Sequence, residues 1–287
     1  MNDKIFSPEK RQRYLDRILT ALQADNRIAG VLIVGSGAVG FDDIYSDIDL
    51  CVVVAKETDL PTVFREWKDK IETLLPVIHF FEVNYGPNNY LYGFLLDGFV
   101  ELDIGFVCLT NLSARRERWK VAFDRSGKIE NIMRSSWKKK SQPDIRSIYQ
   151  SRINSIWHYI IHVVVALKRN QPWRALHYLE VIRNRTIELA GLRRGLETKH
   201  FRQVDQMPKQ FLAELQQTLV SNMDPVNIMQ ALKVAMDCFF REARSLDKIL
   251  GLNIASKLEP KMKEYLQLAT NNETERIVST NNDNFIS

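Results

Sequence analysis

Residues 35–54 read GSGAVGFDDIYSDIDLCVVV, and their pattern decides which fold the chain can adopt. Gly35-Ser36-Gly37 breaks off the apolar run Gly30 to Val34, which predicts a strand, and a second strand is predicted from Ile48 to Val54. Side chains alternate across a strand, so Asp47 and Asp49 project to one face while Ile48 and Leu50 project to the other. Two carboxylates held that close repel each other, and hard divalent cations with oxygen ligands relieve the repulsion. The small-residue turn upstream offers an anion such as phosphate its backbone N–H groups and the Ser36 hydroxyl.

A third carboxylate comes from Phe99 to Val107, FVELDIGFV, a strand-like run in which Asp103 and Glu101 share one face. Either acid could complete a set of three. Such a set suits displacement at phosphorus by two ions about 3.5–4 Å apart, which clamp the attacking and leaving oxygens. A capping Asp after a glycine turn needs no metal, but acids alternating on an otherwise apolar strand are costly without a partner.

With Gly35-Ser36, Asp47-x-Asp49 and Asp103, the chain resembles the nucleotidyltransferase superfamily of the DNA polymerase β type. Within it, the chain is most similar to the antibiotic nucleotidyltransferases, which adenylylate hydroxyls of aminoglycosides or lincosamides and follow the catalytic domain with helices. The motif spans residues 30–107; beyond it the likeness lies in size, helix order and the pattern around Trp157 to Leu189. The resemblance implies two Mg²⁺ ions on Asp47, Asp49 and Asp103, with Gly35 and Ser36 gripping the phosphates. It also implies ATP or another nucleoside triphosphate as co-substrate, a small-molecule hydroxyl as acceptor and release of pyrophosphate. A carboxylate base is implied as well, in several such enzymes drawn from the helical part. Glu180 is the candidate here, with Glu82 and Glu188 as competitors, and Lys168, Arg169 and Arg174 at the helix turn are cations that could reach a triphosphate, which spacing alone does not show.

The rest of the composition suits that expectation. The 287 residues are 45% hydrophobic and 26% charged, with 12 Gly and 9 Pro, the balance of a folded globular chain. A net charge of +5 permits a polyanionic partner without demanding one. The three cysteines, Cys51, Cys108 and Cys238, sit among apolar neighbours, as reduced thiols do, which points to the cytoplasm. The N-terminus lacks a signal-type apolar core, and the run Val163 to Leu167 is too short to span a bilayer, so no membrane role is expected.

Taken in order, the chain predicts an α+β sheet domain over 1–110, a basic connection over 111–143, a helical bundle over 144–269 and a flexible tail over 270–287. The first domain opens on a helix over 8–24 capped by Ser7, and a second helix runs from about Pro61 to Leu75 with Val63, Trp67, Ile71 and Leu74 on one face. Strands Val77 to Val83 and Tyr90 to Leu96 flank a Gly86-Pro87-Asn88-Asn89 turn, giving a mixed sheet of about five strands. RRERWK from Arg115 and KKK from Lys138 read as a solvated segment rather than a nucleic-acid patch. Helices follow from Asp144, from Trp173 to Leu189, after Pro208, and from Asp224 to Leu250 before Gly251.

His158 and His162 stand i, i+4, but no further Cys or His and no HExxH pattern completes a zinc site around them. Ser36 lacks a GxSxG setting, because Val34 precedes Gly35, and so is expected to bind phosphate rather than attack it. Two rival functions remain at this level: an enzyme labelling tRNA or a protein, favoured by a basic track from Arg115 through Arg116 to Lys140, and a nucleotide-binding regulator, disfavoured by the complete acids.

Overall fold

Strand β2 (Ile48–Val54) lies inside a six-stranded mixed sheet whose order is β3 (Val77–Asn84), β4 (Asn89–Leu96), β5 (Val100–Cys108), β2, β1 (Ile28–Val34), β6 (Trp119–Asp124). In this computed structural model the described residues are 7–41, 43–86, 88–115, 118–139 and 144–283. They divide into two units, Met1–Ser141 and Gln142–Ser287.

In the first unit, α1 (Pro8–Ala24) starts where expected, with the Ser7 hydroxyl accepting from the Lys10 amide at 3.2 Å and Pro8 in the first turn. It buries Tyr14, Leu15, Ile18 and Leu22 against the sheet. Strand β1 (Ile28–Val34) pairs antiparallel with β2, and α2 (Leu60–Leu74) lays Val63, Phe64, Trp67 and Ile71 on the same face of the sheet as α1. The hairpin β3 (Val77–Asn84) and β4 (Asn89–Leu96) leads to β5 (Val100–Cys108), which returns parallel to β2. Pro87 of the predicted turn lies outside the described residues.

The basic stretch after 110 is not a mere connection. Strand β6 (Trp119–Asp124) pairs antiparallel with β1 from Gly30↔Asp124 to Val34↔Trp119, giving six strands where about five were expected. Asp124 then turns the chain: Oδ1 accepts from the amides of Ser126 (2.8 Å) and Gly127 (2.9 Å), and Oδ2 from that of Ile129 (2.9 Å). Helix α3 (Ile129–Lys139) follows, and Ile129 and Met133 build a second core with Ala29, Leu32 and Val53 on the sheet face opposite α1 and α2. Flanking charges hide the short alternation of Trp119, Val121 and Phe123 from any periodicity argument. Arg116 and Lys140, both named in the basic track, lie outside the described residues.

The β1–β6 contact makes a direct prediction. A Cβ on Gly30 would stand 2.3 Å from Ile129 Cδ1 and 2.6 Å from the Phe123 carbonyl oxygen. Backbone cannot yield cheaply, so Gly30→Ala is expected to lose about 1–3 kcal/mol. The urea midpoint should fall with an unchanged slope; a midpoint at the wild-type value would mean that β6 does not lie against Gly30.

The second unit is helical. Asp144 caps α4 (Ile145–Lys168), Asn170 at φ 55° turns the chain, and α5 (Pro172–Arg194) ends on Gly195 at φ 67°. After α6 (Lys209–Gln216), Asp224 caps α7 (Pro225–Leu250), which Gly251 stops at φ 64°. Helix α8 (Ala255–Asp283) is continuous through the stretch expected as a tail from 270, and residues 284–287 lie outside the described residues. The core joins Ile153, Ile156 and Ile160 of α4, Leu179 and Ile182 of α5, and Phe239 and Phe240 of α7. Tyr149 Oη donates to Asp247 Oδ1 at 2.6 Å, and the Ala255 amide donates to Asp247 Oδ2 at 2.8 Å, so this buried carboxylate ties α4 and α8 to α7. No helix among the described residues is long and apolar enough to cross a membrane, and all three cysteines are free thiols.

Candidate active site

Strands β2 and β5 run parallel with Asp49 directly across from Asp103. Paired residues on neighbouring strands point to the same face, and the strands are about 4.8 Å apart, so the two carboxylates stand side by side. Their apolar neighbours, Ile48 and Leu50 on β2 and Leu102 and Ile104 on β5, face the large core beneath α1 and α2. Farther along the acid face, Cys51 and Val107 pack into the second core. Burial pushes the Cys51 thiol up to about 12, and the charge of nearby Arg115 acts against that rise. Thus α3 covers one end of this face and leaves the acids at the other.

Glu101, the competing third acid, is exposed and lies two residues nearer the start of β5, paired across β4 with Leu95. Asp103 is half-buried and has Gly93, with no side chain, on its other flank. Asp47 precedes β2, half-buried, and lines a cavity of about 190 Å³ with Arg11, Tyr45, Ser46, Phe99 and Glu101.

The Gly-Ser turn stands at the same end of the sheet, because β1 reaches Val34 where β2 begins. Residues Gly35–Val39 form one 3-10 turn. Gly35 has φ 68°, a conformation that costs other residues roughly 1–2 kcal/mol. Gly37 has no room for a Cβ, which would lie 2.8 Å from Ile33 Cγ2 and 3.1 Å from the Phe41 ring. Ser36 is half-buried, and its carbonyl accepts from the Phe41 amide at 3.0 Å.

Arg11 is a residue that motif reasoning passed over. It is buried on α1, and its Nη1 donates to the carbonyls of the segment 43–46 that leads into Asp47. Burial lowers the pKa of its guanidinium, while the charges of Asp43 and Asp47 act to raise it. A signal was present: Arg11 takes a position of the stripe completed by Leu15, Ile18 and Leu22, where an apolar residue is the rule.

The donor chemistry of Asp47, Asp49 and Asp103 suits a hard cation, and the β2–β5 register suits it too. The side chains are not drawn together around one: among the described residues no three His, Cys, Asp or Glu form a group that could hold a metal ion. Neither Asp49 nor Asp103 lacks a partner in the protein.

All but one of the remaining candidates belong to the helical unit. Glu180 is exposed on α5 and, among the described residues, takes part in no ion pair; Arg183, one turn on, instead donates to Thr218 Oγ1 at 2.8 Å. Glu188 accepts from Arg152 Nε. Glu82, in the sheet unit, is exposed on the edge strand β3. Lys168, Arg169 and Arg174 are exposed around the α4–α5 turn, with Arg174 reaching Tyr178 Oη at 3.3 Å. The rings of His158 and His162 lie 4.2 Å apart, and burial lowers the His162 pKa.

A family profile described as streptomycin adenylyltransferase matches residues 9–269 of the chain. Among solved structures, the chain is similar to an aminoglycoside 6-adenyltransferase from Bacillus subtilis. The two are 14% identical with a TM-score of 0.41, over 91% of this chain and 98% of that one. No curated protein matches.

Proposed function

This chain belongs to the streptomycin adenylyltransferase family, and from that premise we propose that it moves AMP from ATP onto a hydroxyl of an aminoglycoside-like small molecule, releasing pyrophosphate. The observation that carries the reading is the register of β2 and β5, which sets Asp49 beside Asp103 at the sheet end where Gly35-Ser36 turns.

In this reading the acceptor oxygen bonds to the α-phosphorus as the bond to the bridging oxygen of pyrophosphate breaks. The work of the chain is to place these atoms and to balance charge. Asp47 and Asp49 would hold two Mg²⁺ ions, with Asp103 completing the site on the acceptor side. When bound, Mg²⁺ supplies electrostatic stabilisation of the charge that grows on the reacting phosphate. Gly35 and Ser36 orient the phosphates of the leaving group through backbone N–H groups and the Ser36 hydroxyl. Glu180 takes the proton of the acceptor hydroxyl as the general base.

The deciding experiment incubates purified protein and Mg²⁺ with ATP labelled in the α-phosphate, alongside aminoglycosides, a lincosamide, tRNA and the protein itself. Label is expected on an aminoglycoside. Label on tRNA alone, with a steep salt dependence, would overturn the acceptor class and leave the chemistry standing. Glu180→Gln should lower kcat by about 10²–10⁴-fold and remove the acidic limb of the pH–rate profile. An unaltered profile would assign the base elsewhere.

A further inference from the structure

We propose that Arg11 is a positioning residue for the catalytic acids, fastening the 43–46 segment so that Asp47 and Asp49 enter β2 in one geometry. The inference rests on the role given above to those acids. Arg11 Nη1 donates to three carbonyls of that segment, those of Asp43 (3.2 Å), Ile44 (3.4 Å) and Ser46 (2.7 Å). Its guanidinium carbon lies 3.9 Å from the centre of the Phe41 ring. That ring in turn closes over Gly37, so a single side chain braces both the Gly-Ser turn and the approach to the acids.

The energetics favour positioning over stability. Arg11 is only 6% exposed, and its Nε is the one buried side-chain nitrogen or oxygen without a hydrogen-bond partner among the described residues. An unpartnered buried donor is expensive, and a methionine at this site on the apolar stripe of α1 would avoid the cost. Two of the three carbonyls it holds belong to exposed residues, Asp43 and Ile44, and the third to half-buried Ser46, so water could satisfy them instead. An arginine here destabilises through its orphaned Nε and gains a loop fixed at three points.

The test compares wild type with Arg11→Met and Arg11→Lys by amide hydrogen exchange over residues 43–49, melting temperature and Mg²⁺-dependent turnover. For Arg11→Met, exchange in that stretch should quicken at least about tenfold with a melting temperature within a few degrees of wild type. The half-saturating Mg²⁺ concentration should rise, and kcat fall, by about 10–100-fold, as happens when a support behind a metal ligand is lost. KM for the acceptor should move little. Lysine keeps the charge, but its single ammonium cannot span three carbonyls while lying on Phe41, so Arg11→Lys should fall between the two. Unchanged exchange over 43–49 in folded Arg11→Met overturns the proposal. If the methionine variant does not fold, a lysine variant with wild-type exchange and Mg²⁺ response overturns it equally. Wild-type protein that transfers no AMP would sink the functional reading, while the exchange data still decide whether Arg11 holds the segment.

Discussion

Asp49→Asn should lower kcat/KM at least about a thousandfold, or ~4 kcal/mol of barrier, while leaving the melting temperature within a few degrees of wild type. The reasoning is positional. Asp49 is half-buried at the start of β2, across from Asp103, and the amide of asparagine fits the same space without the charge that a cation requires. Asp103→Asn should be comparably damaging. Glu101→Gln should cost much less, because Glu101 is exposed and lies two residues nearer the start of β5. Steady-state kinetics at saturating Mg²⁺ with thermal melts on the same preparations separate loss of chemistry from loss of fold. Near-normal turnover in Asp49→Asn would remove the acids from the mechanism, and a larger loss for Glu101→Gln than for Asp103→Asn would exchange their roles.

The largest effect on stability is expected in the helical unit, at Glu242. This carboxylate is only 2% exposed on α7, and it accepts from Arg193 at 2.7 Å and 3.2 Å and from Arg194 at 3.0 Å and 3.1 Å. Burial acts to raise its pKa, but the hydrogen bonds and positive charges of the two guanidinium groups together outweigh it and hold the carboxyl below the ordinary carboxylate range. Removing the acid leaves two neighbouring cations without their shared partner, so Glu242→Ala should cost about 3–5 kcal/mol at neutral pH. The lower end is expected, because the Arg193 side chain is 31% exposed and water can take up part of its charge.

The pH dependence has a definite sign. A carboxylate whose folded pKa is depressed stabilises fully above its unfolded value, about 4.3, and loses that contribution as pH falls through the folded value. The stability gap between wild type and Glu242→Gln, read from urea midpoints, should therefore be constant from neutrality to about pH 5 and narrow below it. A gap under about 1 kcal/mol at pH 7, or one that persists unchanged at pH 3, would show that the pair of arginines does not depend on this charge.

Much of the sheet unit was legible because its signals are local. Ser7-Pro8 marks the start of α1 by capping and by proline's fixed φ. The alternation Asp47, Ile48, Asp49, Leu50 puts acids on one face and apolar residues on the other whatever the strand's neighbours are. In the helical unit, the Asp144 and Asp224 caps and the Gly195 and Gly251 stops are equally local. Strand β6 and helix α3 escaped for the opposite reason. Six residues beside a run of arginines carry too little periodicity to stand out, and they become a strand by pairing with β1, about ninety residues earlier in the chain.

By itself, then, the sequence determined the turn-then-strand motif, the faces of its acids, and the change from sheet to helices near residue 144, since each follows from a backbone period or a cap within a few residues. Only the tertiary structure decided that Asp103 rather than Glu101 stands across from Asp49, that residues 119–139 complete the sheet unit, and that Arg11 braces the acid segment. Strand register and the partner of a buried guanidinium are set by packing between segments far apart in the chain, and a slip of two residues would keep every side chain on its face while changing which acids meet.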